Sequence, residues 1–354
     1  MIEPSLSPTK SSNKFLSHIH YMRGFAIICI VFAHILKVPA ETVKSETTKW
    51  IAISGEVLFH NSTFYFLFIS GFLFYYLSDR FELFVYYKKK FTNVVLPYIL
   101  IASTLSFISI SSQIVNHDST NNEAIRSVFL SVINGSIQIQ YWYIPFITVV
   151  FLLSPLIFKL PEKSFKLAFL ISCILPVFGT RTGITVTFLQ FIYFFPVYFI
   201  GVYIAKNHDD FIMLINKFKW GLLTIIIVTT LFLIFIRNEK IMLNSFMNVT
   251  ESVYYIQKIS LCFLFLLVFY NLRNVNLKLL NQFAIYSFAI YFLHTVLDYA
   301  PLREKLFDYA SNLASASLIS ISILYTITIC LSTLVVCMCL KRIFGRYSRY
   351  LIGA

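Results

Sequence analysis

The sequence predicts an all-α fold, a polytopic bundle of transmembrane helices, and three observations carry that prediction. Hydrophobic residues make up 58% of the 354-residue chain and charged residues only 13%, with a mean hydropathy of +0.76. So few charges cannot cover the surface of a soluble protein of this size. Apolar runs of about 17–25 residues recur along the whole length, each matched to the ~30 Å hydrocarbon layer of a bilayer. Lysine and arginine are spread unevenly over the segments between those runs.

Ten spans are predicted, at about 19–37, 57–78, 92–115, 140–158, 166–180, 184–205, 220–236, 256–271, 282–299 and 317–340. The fifth is short and holds Pro176 and Gly179, which predicts a broken or tilted helix. No internal repeat or polar linker marks a second domain. The expectation is one transmembrane domain over 1–354, with a cytoplasmic tail at 1–16, both termini cytoplasmic and no fused soluble domain. Residues 1–14 are polar and lack a cleavage site, which predicts a tail rather than a signal peptide. In this layout the inner segments hold 19 of the 29 basic residues and 6 of the 16 acidic ones, and the outer segments hold 10 of each. That asymmetry follows the positive-inside rule. It also accounts for a pI of 9.4 without any nucleic acid partner. The six cysteines lie within apolar runs at no metal or disulfide spacing, which predicts buried thiols and no metal.

The first span, from His20 through Arg23 to His34, poses the functional question. Eleven residues leave Arg23 and His34 about 20° apart around a helix and about 16 Å apart along it. Arg23 falls at the cytoplasmic edge, where it reads as a snorkelling side chain or a ligand-binding cation. His34 falls in the outer half, where it reads as an interhelical hydrogen bonder or a functional base. The second span begins with Glu56 and His60, near the outer surface. Lys88, Lys89 and Lys90 precede the third, a run that topology alone also explains. Gln140, Tyr141 and Trp142 open the fourth, with Trp142 either an interfacial belt residue or part of a site. In the ninth span His294 reaches a depth comparable to His34. Asp298, one turn further on, is expected to orient its imidazole. Three histidines from three helices at one level could line an aqueous cavity suited to proton transfer. Ser70 and Gly71 are predicted as close-packing residues.

An ordered series of motifs resembles the acyltransferase family 3 integral membrane proteins. It comprises Arg23-Gly24 through His34, Phe64 through Ser70-Gly71-Phe72, Lys88-Lys89-Lys90 followed by Leu96-Pro97-Tyr98, Tyr141-Trp142-Tyr143 through Ser154-Pro155, Phe195-Pro196 with Gly201, and Ser287 through His294. The chain departs from the family pattern at His20, Gln140 and Asn93, where an aspartate, a histidine and an arginine are common. The resemblance implies a multi-pass O-acyltransferase, usually O-acetyl, of the bacterial cytoplasmic (inner) membrane. Its donor substrate would be acyl-CoA (acetyl-CoA), with no metal, and its acceptor a carbohydrate beyond the membrane, either a polysaccharide or a lipid-linked glycan. On that reading Arg23 and Lys88–Lys90 meet the phosphates of CoA. His34 is the base or a transient acyl carrier, with His294 and Asp298 beside it. Glu56, His60, Gln140 and Trp142 fall on the acceptor side. Trp142, Gln140, Tyr141 or Tyr291 would serve the oxyanion, and the outer segments 38–56, 116–139, 237–255 and 300–316 would shape acceptor choice. A proton-coupled transporter or exporter of glycan or small solute is the competing reading, and a structural subunit of an envelope assembly is a third. The sequence does not fix the oligomeric state.

Overall fold

The computed structural model of the chain describes residues 16–36, 45–115, 121–181, 186–239, 248–298, 300–313 and 315–354. The predicted tail, save Leu16, lies outside the described residues, as do parts of all four outer segments.

The described residues are helical, with no strand among them. In order they form α1 (Ser17–Ile35), α2 (Glu46–Phe59), α3 (Thr63–Tyr76), α4 (Leu83–Lys90), α5 (Leu96–Val115), α6 (Asn121–Asn134), α7 (Tyr143–Leu153) and α8 (Glu162–Ile174). After these come α9 (Phe188–Lys206), α10 (His208–Asn238), α11 (Val249–Asn271), α12 (Lys278–Ile285), α13 (Ser287–Leu297), α14 (Ala300–Leu313), α15 (Ser315–Phe344) and α16 (Ser348–Ile352). Seven helical runs are long and apolar enough to cross a membrane, or eight if α12 and α13 count as one span bent by 82°. Large apolar side chains such as Phe84, Phe107 and Leu324 stand exposed on the outside, as lipid contact requires. The protein is therefore a multi-pass membrane helical bundle.

The expected count of ten is not confirmed. All ten segments fall on helices, but two are too short to qualify. The fourth is α7 extended by a 3₁₀ turn through Ser154–Lys159. The fifth is α8, which gives way to a 3₁₀ turn at Leu175–Phe178. Proline explains that break, since Pro176 has no N–H to offer the carbonyl four residues back. The freed Ser172 carbonyl instead accepts from the Tyr255 hydroxyl at 3.1 Å. Conversely α10 runs past its predicted span, with a kink at Phe218 where the backbone leaves the helical region.

Small residues set how closely the helices approach. A Cβ on Gly71 would lie 1.9 Å from the Tyr198 carbonyl oxygen, and one on Gly201 would lie 2.1 Å from that of Phe68, so α3 and α9 cross backbone to backbone. At Gly24 a Cβ would lie 2.2 Å from the Leu280 carbonyl oxygen, which seats α1 against α12. Around these crossings the core is aromatic, with Phe64, Phe68, Tyr193, Phe194 and Tyr198 fully buried. Four of the cysteines are buried as predicted, whereas Cys173 and Cys339 are exposed. Their helices turn those faces outward.

Candidate active site

α1 spans the bundle and carries Arg23 and His34 toward opposite ends. At the Arg23 end His18 meets His208 of α10 at 3.2 Å, and Phe72 near the end of α3 packs edge-on against the same His208. α4 follows α3 directly, so Lys88–Lys90 and Arg23 share one end of the molecule. Lys88 and Lys89 are exposed, and Lys90 lies over the Phe151 ring at 4.0 Å. The Arg23 Nη2 reaches His20 Nδ1 at 3.4 Å. Its Nε is buried with no hydrogen-bond partner among the described residues.

The other end of α1 opens on a cavity of about 540 Å³, walled in part by His34, Lys49, Glu56, His60, Asn61 and Arg181. His34 therefore faces open space rather than sealed packing, and Glu56 and His60 join it there. Glu56 is ion-paired to Arg237 of α10. His60 packs against Tyr254 with the rings tilted by 40° and centroids 4.3 Å apart, and its Nε2 lies 3.8 Å from Glu251.

His294 stands directly behind His34, with ring centroids 5.5 Å apart. Its Nδ1 bonds the Ile290 carbonyl at 2.9 Å, so a neutral ring carries its lone pair on Nε2. That Nε2 is buried and has no hydrogen-bond partner among the described residues. The expected pairing of His294 with Asp298 is not the one formed. α13 ends at Leu297, and Asp298 turns away to accept from Arg303 and, at 2.9 Å, from the Tyr325 hydroxyl.

Gln140 and Trp142 are both buried. Gln140 Nε2 donates to Thr295 on α13, and the Gln140 carbonyl accepts from Tyr291. Tyr141 donates to the Phe292 carbonyl at 2.9 Å. Three of the four expected oxyanion donors are thus committed to protein acceptors. Trp142 packs on Phe194, centroids 4.9 Å apart, instead of standing at an interface.

Sequence reasoning missed Arg181, Asn61 and Glu251. Arg181 follows the Pro176 break, and Gly179 lets that segment lie against α9, where a Cβ would be 2.8 Å from the Tyr193 nitrogen. Its guanidinium donates to Asn61 Oδ1 at 2.8 Å and sits 5.6 Å from the Trp142 ring centroid. Burial pushes the Arg181 pKa below its ordinary value, and the charge of Glu251 offsets part of that shift. Glu251 lies in the first turn of α11, where Asn248 caps its backbone N–H at 3.1 Å. A carboxylate suits that helix end. The Asn-x-x-Glu spacing was a readable signal for the helix start, whereas the partners it brings were not readable.

The family model described as acyltransferase domain (Acyl_transf_3) matches residues 16–342, nearly the whole chain. The chain belongs to this family. Neither a curated protein nor a solved structure gave a match. The protein is a membrane acyltransferase, and every candidate residue above lies within the matched region. In this acyltransferase Arg23 and His34 lie toward opposite ends of α1, both inside the matched region.

Proposed function

We propose that this membrane acyltransferase moves an acyl group, acetyl in the simplest case, from cytoplasmic acyl-CoA to a hydroxyl of an extracytoplasmic glycan. The observation that carries this reading is His34 on the wall of an open cavity of about 540 Å³ whose mixed lining includes Glu56, His60, Asn61 and Arg181. Small-molecule sites fall within ~300–1,000 Å³. The loop charges support placing the cavity on the outer side and Lys88–Lys90 on the cytoplasmic side, in a bacterial cytoplasmic membrane.

In this mechanism a neutral His34 takes the proton of the acceptor hydroxyl as its oxygen attacks the thioester carbonyl. The tetrahedral adduct collapses, the C–S bond breaks, and the departing thiolate recovers the proton from His34. The products are the glycan ester and free CoA. In the two-step variant His34 is acylated first and then hands the group to the hydroxyl. Arg23 and the lysines of α4 bind the donor's phosphates, and His294 offers its Nε2 lone pair to hold the His34 ring. Membership of an acyltransferase family weighs against the transporter reading.

The test compares envelope polysaccharide from cells with the wild-type protein, with His34→Ala and with no protein, using NMR to detect O-acyl groups. The expected result is O-acylation in the first sample alone. Normal acylation in His34→Ala cells would remove the catalytic assignment. Intact acylation with blocked uptake or export in deleted cells would favour the carrier.

A further inference from the structure

We infer that Arg181 binds the acceptor in the cavity, that Asn61 and Glu251 position it there, and that the acceptor unit it recognises is an uncharged sugar. This rests on the glycan reading above.

Asn61 sits at the junction of α2 and α3 with φ of 54°, the one non-glycine residue with positive φ among those described. Asparagine tolerates this left-handed backbone better than most residues. Its amide can point only one way. Nδ2 donates to Glu251 Oε2 at 3.2 Å and to the Tyr193 hydroxyl at 3.3 Å, which leaves Oδ1 to accept from Arg181 at 2.8 Å. Glu251, 14% exposed, thus fixes Asn61, and Asn61 fixes Arg181. The Trp142 face supports the guanidinium from a second side. Arginine has five N–H donors in a planar fork. Asn61 takes one, and the side chain lines the cavity beside His34, where the others can meet ring and hydroxyl oxygens. Holding a half-buried arginine and glutamate against a buried asparagine, from three separate segments, for packing alone is costly in a membrane protein.

The charges of the wall select the ligand. Lys49 is paired to Glu46 at 3.9 Å and Glu56 to Arg237, and Glu251 is tied to Arg181 through the Asn61 amide. A carboxylated or phosphorylated sugar would bring a further anion beside Glu56 and Glu251, whereas a neutral polyol needs only hydrogen bonds.

The test uses the full-length protein purified in detergent. Polysaccharide fragments from cells lacking the protein are split by anion exchange into neutral and acidic fractions and titrated calorimetrically, with acetyl-CoA titrated in parallel. The wild type is expected to bind the neutral fraction. Arg181→Gln should weaken that affinity at least tenfold and Glu251→Gln by a smaller factor, both with unchanged acetyl-CoA affinity. Arg181→Gln binding the neutral fraction as the wild type does overturns the assignment, as does a wild-type preference for the acidic fraction. A wild type that binds neither fraction sinks the glycan reading itself. Should Arg181→Gln lose acetyl-CoA affinity as well, Arg181→Lys decides, and wild-type glycan affinity in that variant overturns the role given to the guanidinium fork.

Discussion

His34 on α1 and His294 on α13 stand with ring centroids 5.5 Å apart and planes tilted by 39°. Their helices are remote in sequence, and the 82° bend between α12 and α13 precedes the helix that delivers the second ring. His294 is fixed on one side by the Ile290 carbonyl, so its tautomer is set by backbone.

That arrangement predicts that His294→Phe, which keeps ring volume but removes the lone pair, lowers kcat about tenfold or more. General-base steps contribute ~10²–10⁴, and an orienting partner accounts for a share of that. Donor and acceptor KM should change little. Steady-state kinetics with acyl-CoA check this, and an unchanged kcat would strip His294 of the role.

Arg23 has a buried Nε with no hydrogen-bond partner among the described residues, as a side chain reserved for a ligand would. Arg23→Gln should therefore weaken acyl-CoA binding about tenfold or more, in line with a lost charge-assisted contact, and leave glycan binding unaltered. Calorimetric titration of both ligands reads the split, and equal donor affinity in the two proteins would refute the assignment.

Asp298 holds Arg303 and Tyr325, so its substitution should act on stability rather than on chemistry. Asp298→Asn is expected to cost about 1–2 kcal/mol and to leave the pH profile of transfer in place. A shifted profile with an unchanged melting temperature would instead restore the carboxylate to the histidine.

Lys258 is wholly buried in α11, and its ammonium donates to the carbonyls of Val57 at 3.1 Å and Leu58 at 2.7 Å, in the last turn of α2. Lys258→Met should cost about 2–3 kcal/mol, because carbonyls lose donors where no water replaces them. It should also raise acceptor KM, since α2 leads straight into the His60–Asn61 junction. Thermal unfolding in detergent and acceptor kinetics measure the two effects, and an unchanged melting temperature with an unchanged acceptor KM would reduce Lys258 to a spectator.

By itself the sequence determined the class of fold, the family and the poles of α1. Hydropathy, loop charge and the eleven-residue step from Arg23 to His34 are local properties that a chain in lipid must express wherever its helices end up. It also showed where helix would fail, at Pro176, because a missing N–H acts on its own backbone. Span count went less well, since 3₁₀ turns, a kink and a sharp bend alter length without altering composition. Only the tertiary structure decided partners: that the His294 ring lies beside His34 while Asp298 goes to Arg303, and that Glu251 holds Asn61, which holds Arg181 at the cavity wall. Those choices depend on distances between segments far apart in the chain, set by how closely Gly24, Gly71 and Gly201 let helices approach. No periodicity along a single helix encodes them.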